Sequence, residues 1–172
     1  MAGNLKTHIY CYDDYRSFSD DVKKRFPDDS RYKVVSFQTT MELLSHIEDK
    51  NEKALCKVAI IGVHDNKDQM EMIDKLSAKI RNTDPRIGII LLIPADKVEE
   101  VKKIVKFNIS AYIPVNANSV LRIHNIVKKF ISEKSIIRYR KRRNLSLTVL
   151  LVFIFLSLLL ILISWFRLPQ YF

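Results

Sequence analysis

The sequence predicts an α/β domain, built on a doubly wound parallel sheet of five strands, followed by one transmembrane helix near the C-terminal end. Segments typical of strands alternate five times with segments typical of helices. Residues 58–63 and 87–93 are apolar throughout, as in strands that are buried on both faces of a parallel sheet. Residues 145–166 contain no charge, glycine or proline. These three observations define the fold class.

The first three elements are a strand, a helix and a strand. Residues 8–12 are a β-rich run that ends at Asp13 and Asp14. Phe18, Val22 and Phe26 recur every four residues and predict a helix over 15–26, which Pro27 ends. Residues 32–37 form the second strand.

The same pattern continues to residue 114. Thr39 or Thr40 caps a second helix, and strand 58–63 ends at His64 and Asp65. Apolar residues at three- and four-residue steps from 70 to 80 predict a third helix, which stops before Pro85. The remaining predicted elements are strand 87–93, helix 96–107 and strand 110–114. Because helices connect successive strands, the strands must be parallel, which favours a flavodoxin-like sandwich of strand order 2-1-3-4-5.

A fifth helix is predicted from residue 118 onward, since no proline or glycine follows until Pro169. Its apolar stripe consists of Val120, Ile123, Val127, Phe130 and Ile137. The first turns of this stripe suit packing on the sheet. The same residues also fit a heptad pattern, so the extended helix is a candidate surface for a homodimer.

Residues 145–166 are predicted to span a membrane. Of these 22 residues, 17 are Leu, Ile, Val or Phe. At about 1.5 Å per residue the segment reaches roughly 33 Å, which exceeds a hydrocarbon core of about 30 Å. A basic run precedes the segment and is expected to contact anionic lipid headgroups; it comprises Arg138, Arg140, Lys141, Arg142 and Arg143. The positive-inside rule therefore places the N-terminal domain in the cytosol.

The predicted organisation follows from these segments. Residues 1–5 form an N-terminal tail, and 6–132 a single domain. Residues 133–144 form a basic juxtamembrane helix, 145–166 the transmembrane helix, and 167–172 a short extracytoplasmic tail.

Composition excludes several classes of function. Residues 1–132 contain 22 Lys and Arg against 18 Asp and Glu, so much of the net charge of +10 belongs to the basic run, and nucleic-acid binding is not indicated. Cys11 and Cys56 lack a CxxC spacing and are interpreted as buried structural residues. No nucleotide-binding or hydrolase motif is present, and the chain has three glycines in all. We expect the protein to have no enzymatic activity and to require no cofactor.

Over residues 6–132 the chain resembles the receiver domain of bacterial response regulators. The resemblance implies that Asp13 and Asp14 are the acidic pair after the first strand and that Asp65 is the phosphoacceptor, with Mg²⁺ as a candidate ligand of all three. It also places Ile93 where the family has Thr or Ser, Tyr112 at the aromatic position and Val115 where the family has Lys. Ile93 lacks the hydroxyl that hydrogen-bonds the phosphoryl group in the family, and Val115 lacks the positive charge that contacts it.

Two alternatives to this interpretation stay open. A second register places Gly62 at the acceptor position and removes the site. The three aspartates are also common residue types at helix caps and turns, with no chemical role.

The resemblance implies a membrane-anchored pseudo-receiver in the bacterial inner membrane, facing the cytoplasm, that acts by contact with membrane or signalling proteins without normal phosphoswitching. The alternatives are a slow phosphoacceptor that uses Asp65 with Mg²⁺, and a structural subunit of an inner-membrane complex. The face that receivers generally use for partners here carries Lys97, Lys102, Lys103, Lys106, Tyr112 and Arg122.

Overall fold

The structure is a computed structural model and describes residues 6–13, 18–48, 54–63, 67–105 and 109–167. Its strands are β1 (Thr7–Tyr12), β2 (Tyr32–Phe37), β3 (Cys56–Gly62), β4 (Gly88–Ile93) and β5 (Ala111–Pro114). Its helices are α1 (Ser19–Arg25), α2 (Thr40–Glu48), α3 (Lys67–Thr83), α4 (Val98–Ile104) and α5 (Ser119–Arg167).

All five strands pair in parallel, in the order β2-β1-β3-β4-β5. The predicted α/β fold class and strand order are therefore confirmed. The continuous apolar runs do form the middle of the sheet: residues 58–61 of β3 and 89–93 of β4 are almost entirely buried. Strand β3 pairs with both β1 and β4, so that Ile61 lies opposite Tyr12 on one side and Leu91 on the other.

The sheet is covered on both faces by apolar helix residues. One core cluster joins the sheet to α2, α3 and α4 through residues such as Leu43, Ile73 and Val101. The second cluster joins the opposite face to α1 and α5 through Val22, Ile123 and Val127. Alternate residues of each strand enter the two clusters, since successive side chains of a strand point to opposite faces.

The beginning of α5 packs on the sheet. Ile123 and Val127 are completely buried, and the half-buried Phe130 ring lies directly over Gly88. A Cβ atom at Gly88 would lie 2.7 Å from Phe130 Cε2, so glycine permits this close approach. Ile137, the last member of the predicted stripe, is exposed. The stripe thus changes from core to surface along the helix.

Helices α1 and α4 are shorter in the described residues than their apolar periodicity predicts. Phe18 precedes α1 and Phe26 follows it with a non-helical backbone, while residues 15–17 lie outside the described part. Helix α4 begins at Val98 and ends before the buried Val105. Apolar periodicity continues past both ends because Phe26 and Val105 belong to the core without being helical. For α2, Thr39 is the cap: its Oγ1 accepts a hydrogen bond from the Glu42 backbone N–H at 3.2 Å.

The chain divides into two compact units, Met1–Ser132 and Glu133–Phe172. Among the described residues, one helix is long and apolar enough to cross a membrane. Its most apolar window of 18 residues has a mean hydropathy of 3.1 and contains no buried residue, a finding that rests on length and composition alone. Both cysteines, Cys11 and Cys56, are buried free thiols, as predicted.

Candidate functional site

A crevice of about 340 Å³ opens at the carboxyl edge of the sheet. It is formed by residues at or just beyond the ends of β1, β3, β4 and β5, together with the residue before α1 and the first residue of α5. The lining residues are Asp13, Phe18, Gly62, Val63, Leu92, Pro94, Ala95, Val115 and Ser119. In an open α/β sheet, this edge is where ligands bind.

One side of the crevice is formed where β1 and β3 end side by side. Asp13 is only 2% exposed. A Cβ atom built on Gly62 would lie 3.3 Å from Asp13 Oδ1 and 3.1 Å from Phe18 Cε1. The carboxylate and the aromatic ring therefore both pack closely against Gly62, and a side chain at this position would crowd them.

Backbone hydrogen bonds hold the strand ends together beneath the crevice. The Val63 N–H donates to the Leu92 carbonyl at 2.8 Å, and the Val115 N–H donates to the Ile93 carbonyl at 2.8 Å. These bonds extend the β3–β4 and β4–β5 pairings by one residue each. The strand pairing therefore continues to the edge of the crevice.

The two positions where the resemblance implies a hydroxyl and a lysine are both apolar. The Ile93 side chain is completely buried in the cluster beneath α2, α3 and α4. Val115 lies at the rim, 56% exposed. Neither side chain can donate a hydrogen bond or supply positive charge to a group bound at this edge.

Only one member of the predicted acidic trio falls within the described residues. Asp13 lies at the crevice, whereas Asp14 and Asp65 lie outside the described residues, so the phosphoacceptor and Mg²⁺ assignments remain predictions. In the part of the chain that the structure describes, no group of three or more His, Cys, Asp and Glu side chains could hold a metal. Among the described residues of β3, Gly62 lies beside the Asp13 carboxylate.

The predicted partner surface is partly neutralised by local ion pairs. Lys97 Nζ lies 3.5 Å from Glu100 Oε2, and Lys102 Nζ lies 2.8 Å from Glu99 Oε1. A hydrogen bond from Lys102 is the main cause that lowers the pKa of Glu99. Of the described residues, none forms an ion pair with the exposed Lys103 or Arg122. Lys106 lies outside the described residues.

Tyr112, the predicted aromatic position, connects β5 to the end of α4. Its hydroxyl donates a hydrogen bond to the Val105 carbonyl at 2.5 Å, and its half-buried ring packs on the core cluster. Burial is the main cause that raises the pKa of Tyr112. The hydroxyl therefore remains protonated at neutral pH and is committed to the α4 backbone.

The basic run lies on α5. Arg140, Lys141 and Arg143 are exposed and Arg138 is half-buried, while the side chain of Arg142 lies outside the described part. No Asp or Glu occurs between residues 134 and 172, so the run has no acidic neighbour in sequence after Glu133.

Sequence reasoning identified Asp13, Ile93 and Val115 but missed most of the crevice wall. Phe18, Val63, Leu92, Pro94, Ala95 and Ser119 were not proposed as site residues, and Gly62 was named only in the alternative register. Part of the signal was available, because Gly62, Leu92, Pro94 and Ala95 lie in the last residues of predicted strands or just after them, and these strand ends meet at one edge of a parallel sheet.

Comparison with solved structures finds receiver domains among the similar folds. A response regulator receiver domain protein from Clostridium thermocellum superposes with a TM-score of 0.57 at 16% identity, over 76% of this chain and 98% of that one. A CheY-like receiver domain protein from Methanospirillum hungatei gives a TM-score of 0.55 at 22% identity, over 76% and 97%. An adenylate cyclase from Rhodopirellula baltica gives 0.58 at 15% identity, over 80% and 96%. At these identities the similarity concerns the fold.

No protein-family model matches the sequence, and no curated protein matches it. The solved structures show that the fold is that of CheY-like receiver domains. A fold does not fix a function, so function has to be argued from the residues at the carboxyl edge and on the surface.

Proposed function

We propose that the chain is a membrane-anchored signalling or protein-interaction module with a receiver fold, which acts by contact with a partner and without the phosphorylation switch of ordinary receivers. The observation that carries the proposal is the pair Ile93 and Val115. One is buried in the core and the other is apolar at the crevice rim, so neither can follow or neutralise a phosphoryl group. We propose no enzymatic activity.

The proposed location is the inner membrane of a bacterium, with residues 6–132 on the cytoplasmic side. Support comes from the apolar segment 145–166 and from the basic residues that precede it on one side only. The same residues are proposed to contact anionic lipid headgroups, at about 1 kcal/mol for each Lys or Arg near the surface. Extraction of the full chain from membranes tests this: we expect detergent, but not carbonate or high salt, to release it.

The proposed docking face is the surface of α4, β5 and the start of α5. Because Lys97 and Lys102 are already paired with glutamates, Lys103 and Arg122 are the residues on this face most available to an acidic partner. The proposed occupants are other membrane or signalling proteins.

Charge reversal tests the docking face in the full chain. We expect Lys103→Glu and Arg122→Glu to abolish co-purification of the partner from detergent-solubilised membranes. Lys79→Glu is the matched control, because Lys79 is exposed on α3 and forms no ion pair with any described residue. Equal recovery with all three variants would count against this face.

A slow phosphoacceptor remains the second candidate, since the buried Asp13 carboxylate lies at the crevice where the family binds Mg²⁺. It requires Asp14 and Asp65 to complete the site. An Asp65-dependent phosphoryl adduct distinguishes it from the first proposal.

A further inference from the structure

A groove of about 350 Å³ lies between helices α2 and α3, away from the carboxyl-edge crevice. Its described lining comes from the first two turns of α2 and the middle of α3, and consists of Thr40, Leu44, Glu71, Met72, Lys75, Leu76 and Lys79. The volume lies at the lower end of the range for small-molecule sites. A stable protein interface takes roughly 20–30 residues a side, so this short lining suits a small ligand better than a docked domain.

Three of the lining residues are large and apolar. Leu76 of α3 is only 3% exposed and belongs to the core cluster beneath α2, α3 and α4. Leu44 of α2 and Met72 of α3 are half-buried and pack against the same cluster. A hydrophobic body in the groove would therefore cover apolar surface that the domain leaves partly in water. The flexible Met72 side chain can adapt to the shape of such a body.

Two lysines bring positive charge to the same groove. Lys75 and Lys79 are exposed and lie one helical turn apart on one face of α3. Neither forms an ion pair with any residue that the structure describes. Glu71 also lines the groove, but it lies about 12 Å along the helix axis from Lys79. The end of the groove at the two lysines therefore complements an anionic group.

We propose that the groove between α2 and α3 binds a small organic carboxylate that has an apolar body. The carboxylate accepts charge-assisted hydrogen bonds from the ammonium groups of Lys75 and Lys79. The apolar body packs on Leu44, Met72 and Leu76. The groove contains none of the residues of the proposed docking face, so the inference does not rest on the proposed function. Binding there gives the domain an input that depends on a ligand and not on phosphorylation.

Methyl NMR of the full chain in phosphatidylcholine nanodiscs tests the inference, with phenylacetate as the probe. The methyl groups of Leu44, Met72 and Leu76 report on the groove. Those of Leu121, an exposed residue of α5, report on nonspecific association. We expect saturable shifts of the groove methyls and none at Leu121. At the same concentration we expect no comparable shifts with acetate, which lacks the apolar body, or with phenethyl alcohol, which lacks the charge.

A double substitution removes the two charges and keeps the apolar contacts. Lys75→Gln combined with Lys79→Gln should weaken phenylacetate binding by about tenfold or more, because the charge-assisted hydrogen bonds are lost. Both side chains are exposed, so we expect the variant to fold. Lys128→Gln combined with Lys129→Gln is the matched control, since these two exposed lysines of α5 do not line the groove.

Several results would overturn the inference. Absence of saturable shifts at the groove methyls, equal binding of phenethyl alcohol, or unchanged binding in the Lys75 and Lys79 double variant would each rule out recognition of a carboxylate here. Loss of the partner protein with Lys79→Glu would also overturn it, by assigning the groove to a protein. Probe binding is measured without a partner protein, so its failure is distinct from failure of the proposed docking face.

Discussion

Replacing Ile123 with alanine should destabilise the domain far more than replacing Ile137, although both belong to the same apolar stripe of α5. Ile123 is 0% exposed and Ile137 is 63% exposed. Removing three buried carbon atoms costs roughly 2.4 kcal/mol in transfer free energy, and the cavity left behind brings the loss into the range of about 2–5 kcal/mol. For Ile137→Ala we expect a change within about 0.5 kcal/mol, as for other surface positions.

Hydrogen exchange of the β4 amides in the full chain measures this difference. Strand β4 lies between β3 and β5 and is buried, so its amides are expected to exchange through global unfolding. Ile123→Ala should therefore accelerate their exchange by about thirtyfold or more, and Ile137→Ala should leave it nearly unchanged. If both variants lower the free energy of unfolding equally, and this loss becomes smaller at higher protein concentration, the stripe pairs with a second copy of the chain. That result would refute the reasoning from burial.

Three further predictions concern close packing and titration. Gly88→Ala should lower the free energy of unfolding by about 1 kcal/mol, because the added Cβ forces the half-buried Phe130 ring to tilt. Phe130→Leu should reduce that cost, since the smaller side chain leaves room for the Cβ. If hydrogen exchange shows that the losses of the two variants are strictly additive, the contact does not limit residue 88. Burial, with the charges of Lys128 and Arg25, lowers the pKa of His124 below its usual 6.5. The folded state then binds fewer protons than the unfolded state, so stability should fall as pH drops through that value, and thermal melts of His124→Gln should show a weaker dependence than wild type. Burial raises the pKa of the Cys11 thiol to about 12, so iodoacetamide should not label Cys11 in the folded chain, and labelling at the rate of the unfolded chain would be inconsistent with the structure.

The sheet could be predicted because its strands have local sequence patterns that are typical of strands. Residues 58–61 and 89–93 are apolar without alternation, a pattern that a strand adopts when both of its faces are covered. Because the five predicted strands alternate with helices, the connections must be crossovers and the strands parallel. Local sequence therefore contained most of the fold.

The ends of the helices were harder to predict because burial continues beyond them. Val105 extends the apolar period of α4, yet its backbone leaves the helical conformation. Its carbonyl accepts a hydrogen bond from the hydroxyl of Tyr112, seven residues further along. A periodicity argument detects that Val105 is buried but not which backbone conformation buries it.

The crevice could not be predicted from local sequence, because it is formed by contacts between residues distant in sequence. The approach of Phe18 and Asp13 to Gly62 joins elements up to 49 positions apart, and only the strand register brings them together. The resemblance directed attention to the carboxyl edge, where the structure has a crevice. It did not reveal that the described lining residues are apolar apart from Asp13 and Ser119.

The proposed function requires that this receiver fold works without a phosphorylation switch. Its most direct test is intact-mass analysis of the full chain in detergent after incubation with acetyl phosphate and Mg²⁺, alongside Asp65→Asn and a receiver that retains the hydroxyl and the lysine. We predict a phosphoryl adduct on the control receiver and none on this chain. A stable adduct that disappears in Asp65→Asn would contradict the account and establish the chain as a phosphoacceptor.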